Sequence, residues 1–179
     1  MRGRAIGVLI LTGFGTVWMT LGLRAMGRDS VWTASLTGAF ALLLVVMGLR
    51  LLRLARELCR AALRTEDEAR VRRMFAAVNI IQWVTIAVAI VVLNLLHETA
   101  YTVPAIAIIL GLHLYPLAAS FRHAQHYVTG ALLVGWAVAC IALMTPQQVQ
   151  GLGSVVAGMI VLVSAAVTVA MSLQGVAQD

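Results

Sequence analysis

The chain has 179 residues, of which 61% are hydrophobic and 11% charged, and its mean hydropathy is +0.96. A soluble domain is roughly one-quarter charged, so this composition excludes a water-solvated fold and calls for lipid as solvent. The net charge of +6 comes from arginine alone, and these arginines lie between apolar stretches. That placement argues for membrane orientation and against nucleic acid as a partner.

The apolar residues form six blocks, at 5–23, 31–49, 74–96, 103–121, 128–144 and 152–173. Each is about as long as a helix crossing a hydrocarbon core of ~30 Å must be. The expected fold is therefore all-α, a single polytopic membrane bundle of six transmembrane helices with no separate soluble domain.

Arg2 and Arg4 precede the first block. It is too long for the core of a secretory leader, and Arg24, Met26 and Arg28 stand where a small-residue cleavage site would be, so it reads as a retained helix. Its glycines, Gly7, Gly13, Gly15 and Gly22, suit close helix contacts in lipid. Trp18 in its outer half reads as a packing or interfacial anchor.

Ser30 is placed to cap the second helix, and Trp32 falls at the membrane interface. From Arg50 onward an apolar stripe of Leu51, Leu54, Leu58 and Ala62 continues at helical spacing. Arg53, Arg56, Arg60 and Arg64 supply the polar face, so the helix should extend beyond the membrane. Residues 50–73 form an arginine-rich linker that either sets topology or attracts anionic lipid headgroups. Within it Thr65 and Glu68 have the form of a capping box opening the third helix.

With the termini and the 50–73 and 122–127 connections inside, the inner face carries 11 arginines and the outer face only Arg24 and Arg28. The positive-inside rule then orients the chain N-in and C-in.

The third block carries Asn79 and Gln82, three residues apart and so on one helix face, followed by Trp83. Asn94 and His97 return to that face further out. His97 and Glu98 read as a solvated turn, and Thr102 with Pro104 as the cap and first turn of the fourth helix. That helix contains His113 and Pro116, whose missing N–H and bulky ring predict a kink beside the histidine. Arg122, His123 and His126 follow at the inner interface, where headgroups are the expected neighbours.

The last two blocks, joined by a TPQQVQG loop, hold no acid or base apart from the Cys140 thiol and read as packing material. Ala131/Gly135 and Ser154/Gly158 are their candidate contact pairs. Trp18, Trp83 and Trp136 recur in the outward-running helices of successive hairpins, without enough flanking similarity to make a repeat. Cys59 and Cys140 have no metal-binding spacing, and neither a metal nor a cofactor is expected.

Asn79, Gly111, His113, Leu114, Pro116 and Tyr127 carry a resemblance. Over about residues 74–127 the chain resembles a family of small six-span bacterial membrane proteins, a domain of unknown function. The resemblance implies a six-helix inner-membrane (plasma-membrane) fold, and brings no substrate, cofactor or catalytic residue.

Three functional readings compete. A small-solute or ion transporter would use Asn79, Gln82, Trp83 and His113 as a polar binding site near mid-depth between the third and fourth spans. A structural or accessory protein would use the same groups to bond helix to helix, and act through partner contacts or as a homo-oligomer. An intramembrane enzyme has little to work with, since no span carries Asp or Glu and no catalytic triad or paired carboxylates occur. Haem is disfavoured because His113 has no partner histidine at its depth. A neutral His113 is expected to accept from Gln82 or Asn79 and to donate to a carbonyl freed by Pro116.

Overall fold

The computed structural model describes residues 2–61, 66–121 and 124–176. They form helices α1 (Arg2–Ala25), α2 (Val31–Ala61), α3 (Glu66–Leu95), α4 (Thr102–Phe121) and α5 (Ala124–Leu143), then a short α6 (Pro146–Gln148) and α7 (Ser154–Val176). No strand occurs among the described residues. Six helical segments are long and apolar enough to cross a membrane, the last running from Pro146 to Gln174. The protein is an all-α, six-span bundle.

Local chemistry explains where the helices stop. After α1 the Arg28 amide donates to the Leu23 carbonyl and the Gly27 amide to Arg24, with Gly27 at φ 65°. This is a Schellman cap, whose left-handed residue is least strained when it is glycine. α3 ends the same way, with Glu98 donating to Leu93 and His97 to Asn94. Here His97 takes the left-handed position at φ 59°. Its role in the structure is backbone closure. Ser30 caps α2, its hydroxyl accepting from the Thr33 amide at 3.2 Å while the Ser30 amide donates to the Thr33 hydroxyl at 3.0 Å. Thr65 lies outside the described residues.

Two connections differ from the expected ones. Thr102 is already helical, because a 3₁₀ turn at Thr99–Tyr101 opens the fourth span one turn early. The TPQQVQG segment is helical as well: Thr145 caps α6 in a full capping box with Gln148, and a π-helical turn, Val149–Gly153, joins α6 to α7. The Thr145 hydroxyl, Pro146 at the first helical position and Gln148 supply a complete helix start.

The core lies along α1 and α7. Ala5, Val8, Leu11 and Trp18 of α1 are buried with Ala157, Val161, Leu162 and Ala165 of α7. These helices approach until their glycines touch. A Cβ on Gly22 would lie 2.7 Å from the Gly151 carbonyl oxygen, and one on Gly158 would lie 2.9 Å from that of Gly15. A second seam joins α4 to α5, where a Cβ on Gly130 would meet the Gly111 carbonyl at 2.7 Å. Gly158 is thus a contact residue as anticipated, whereas Gly135 has open space around it and Gly130 takes the role given to it. Thr12, Thr16 and Thr20 bond back to carbonyls one turn earlier, at 2.7 to 2.8 Å, which satisfies α1's hydroxyls within the helix.

α2 and α3 lie at the rim. Their apolar faces, including Trp32 at 78% exposure and Val88 and Leu95, point away from the bundle, as lipid-facing residues do. The three tryptophans of the suspected repeat occupy three different settings. Trp18 is buried, Trp83 is half exposed, and Trp136 donates its indole N–H to the Gly153 carbonyl.

Candidate functional site: a polar cavity between five spans

Asn79 and Gln82 sit on the face of α3 that meets α4, one turn and two turns beyond Phe75. Opposite them α4 presents Leu110, His113, Leu114 and Leu117 at helical spacing. Together with Ile10 and Leu11 of α1, His126 of α5 and Thr168 of α7, these residues line a cavity of about 50 Å³. A single water needs roughly 10–15 Å³ of such space, so the cavity has room for a few waters or a small solute.

The cavity is not at mid-depth. Its lining residues fall in the first half of α1 and α3 and the second half of α4, roughly 8 Å from the span centres toward the face that carries the termini. His113 stands against the backbone of Val78 on α3, so its polar neighbour comes from the adjacent helix rather than from its own.

The side-chain amides also differ from expectation. Asn79 Nδ2 donates to the Phe75 carbonyl of its own helix at 2.8 Å. Gln82 is only 4% exposed and lines the cavity, yet its amide has no hydrogen-bond partner among the described residues. No Gln82–His113 or Asn79–His113 bond forms among them.

No family model, curated protein or solved structure matches the chain.

Of the residues singled out from the sequence, Asn79, Gln82 and His113 come together. Trp83 does not join them. It stacks on Phe14 of α1 at 5.8 Å between ring centroids, beside an apolar groove of about 400 Å³ between α1, α3 and α4. Pro116 is exposed on α4 and does not line the cavity. Arg53 is exposed near the end of the apolar part of α2. The headgroup reading of Arg56 and Arg60 concerns side chains outside those described, and Arg64 lies outside the described residues altogether.

Two residues of the cavity were not anticipated. His126 was assigned to the headgroups, but α5 begins at Ala124, four residues before its apolar block, and this extra turn carries His126 into the bundle wall. A second histidine therefore does stand near His113, which removes the ground given above for disfavouring a two-histidine site. Among the described residues, no three His, Cys, Asp or Glu side chains come together as a metal site.

Thr168 is the other. Its hydroxyl donates to the Ser164 carbonyl at 2.8 Å and accepts from Gln125 Nε2 at 2.9 Å. Gln125 also donates to the Ser164 carbonyl at 2.8 Å, and the Ser164 and Thr129 hydroxyls are 2.8 Å apart. The α5–α7 pair is thus more than packing material, for it carries a buried polar network that ends at the cavity. Such networks fix side chains when their members are satisfied, and this one holds the Thr168 wall in place.

Proposed function

We propose that this integral membrane protein binds a small polar solute or ion in the cavity between α1, α3, α4, α5 and α7 and carries it across the membrane. The observation that supports this reading is Gln82. Its side chain is only 4% exposed and lines the cavity together with His113, His126, Asn79 and Thr168, which gathers polar groups from four helices around one space.

The arginine distribution and the family resemblance support an N-in, C-in arrangement in a bacterial inner membrane, with the arginine-rich segment before α3 meeting anionic lipids. In that arrangement the cavity lies in the cytoplasmic half. Leu11, Leu110 and Leu114 form part of its wall, so onward passage requires those helices to part.

An accessory role is favoured by one observation, the bonds from Gln125 to Ser164 and Thr168, which join two helices as structural glue does. Thermal melting of the detergent-solubilised protein, screened against ions and small metabolites, separates the two readings. For a binding protein, at least one compound raises the melting temperature, and Gln82→Leu melts higher than the parent without ligand but no longer responds. A screen without any response, with Gln82→Leu leaving the melting temperature unchanged, would overturn the proposal.

A further inference from the structure

We infer that the end of the bundle opposite the termini holds one membrane amphiphile, with a hydrocarbon tail in the groove between α1, α3 and α4 and an uncharged, hydroxyl-bearing head in a polar pocket beyond it.

The groove of about 400 Å³ is lined along α1 from Leu9 to Leu21, a length of ~18 Å at 1.5 Å per residue. One leaflet of a ~30 Å hydrocarbon core is ~15 Å deep, so the groove has the reach of one lipid tail. Phe14, stacked on Trp83 at 5.8 Å and tilted against Trp18 at 5.6 Å, gives it an aromatic wall. Gly13 lines it too, and a Cβ there would meet nothing within 4 Å. Within a bilayer a hydrocarbon chain fills such a groove, because water finds no partners in it and an empty one forfeits dispersion contacts.

The far end distinguishes an amphiphile from a plain hydrocarbon. Leu21, Thr102 and Val103 line both the groove and a second pocket of about 240 Å³, so the two spaces meet. The second pocket adds Thr99 of the 3₁₀ turn, Gln150 of the π turn and Ser154 at the start of α7. Its lining holds neither acid nor base. An ionic head would enter it without a counter-charge, whereas a hydroxyl-bearing head finds donors and acceptors. Ser154 points independently to a ligand. Seven polar side chains are buried among the described residues, and Thr12, Thr129, Ser164, Thr168 and Ser172 all hydrogen-bond within the protein. Gln82 and Ser154 have no such bond among the described residues, and Ser154, only 1% exposed, lines the polar pocket.

The test is fluorescence quenching of the full chain in phosphatidylcholine vesicles, with Trp32→Phe to remove an indole that already faces outward. The probe is a monoacylglycerol brominated on its chain, since bromine quenches an indole it touches and Trp18 and Trp83 both line the groove. Quenching should saturate at a small mole fraction of probe. Gly13→Leu grows into open space, so it should abolish the saturating component without lowering the melting temperature. Ser154→Ala with Thr102→Val keeps the groove and should weaken binding about tenfold. Brominated hexadecane, a tail without a head, should quench only in proportion to its share of the bilayer. Monoacylglycerol quenching that is merely proportional, or that survives Gly13→Leu, overturns the site. Hexadecane that saturates like the monoacylglycerol, or a brominated lysophosphatidic acid that binds as tightly, overturns the head assignment. If Gly13→Leu instead splits a dimer of the chain, the groove is a contact between copies and the lipid reading falls.

Discussion

The indole nitrogen of Trp136 donates to the carbonyl oxygen of Gly153 at 3.0 Å, tying α5 to the last residue of the π-helical turn that joins α6 to α7. A π turn alters the regular pairing of carbonyls and amides along the helix, and at this depth no water is at hand to replace a lost partner. Trp136→Phe keeps the ring and removes the donor. It should lower stability by about 1 kcal/mol, measured as a lower melting temperature in detergent. An unchanged melting temperature would mean that the turn does not depend on the indole.

The glycine seam between α1 and α7 makes a sharper prediction. A methyl group at position 22 would press on the backbone around Gly151 and Val155, which a helix can relieve only by moving away. Gly22→Ala should therefore destabilise by about 1–3 kcal/mol, the usual cost of overpacking. Gly13→Ala on the same helix meets nothing within 4 Å and should be neutral or slightly stabilising. Equal effects from the two would show that the seam is not what holds α1.

Thr129 and Ser164 share a hydrogen bond at 2.8 Å, and their coupling is measurable by a double-mutant cycle. Thr129→Val, Ser164→Ala and the double variant should give an interaction energy of about 0.6–1.7 kcal/mol, the range for such bonds between membrane helices. Additive effects would place the strength of the α5–α7 contact in its packing alone.

Orientation is open to a direct test. A reporter fused after Asp179 that is active only in the cytoplasm should be active, and one active only outside should be silent. The opposite pattern would invert the inside and outside assigned from the arginines, and with them the side on which the cavity lies.

The spans were readable because each depends on one local run of apolar residues. The pairing of Asn79 with Gln82 was readable too, since a spacing of three fixes a shared face. Trp83 shows where such reading stops. It is one residue from Gln82, yet one helical step of 100° brings it against Phe14 instead of the cavity, and only the position of α1 decides that. His126 was obscured by its neighbours Arg122 and His123, which made the start of α5 resemble a headgroup zone. Thr168 gave no signal, because a threonine that bonds back to its own helix and one that also lines a cavity look alike in sequence. The choice of Gly130 over Gly135 had the same cause: small residues recur along α5, and which of them meets a partner is settled by α4.

The most extensive helix contact among the described residues joins the first span to the last. α1 must therefore enter the membrane long before its partner exists: more than a hundred residues separate Gly22 from Gly151, a wait on the order of ten seconds at ordinary rates of synthesis. Through that interval the glycine face of α1 is turned to lipid or to whatever insertion factor shields it. A chain interrupted before Pro146 would leave this face without its mate, which makes completion of the sixth span the event that closes the bundle.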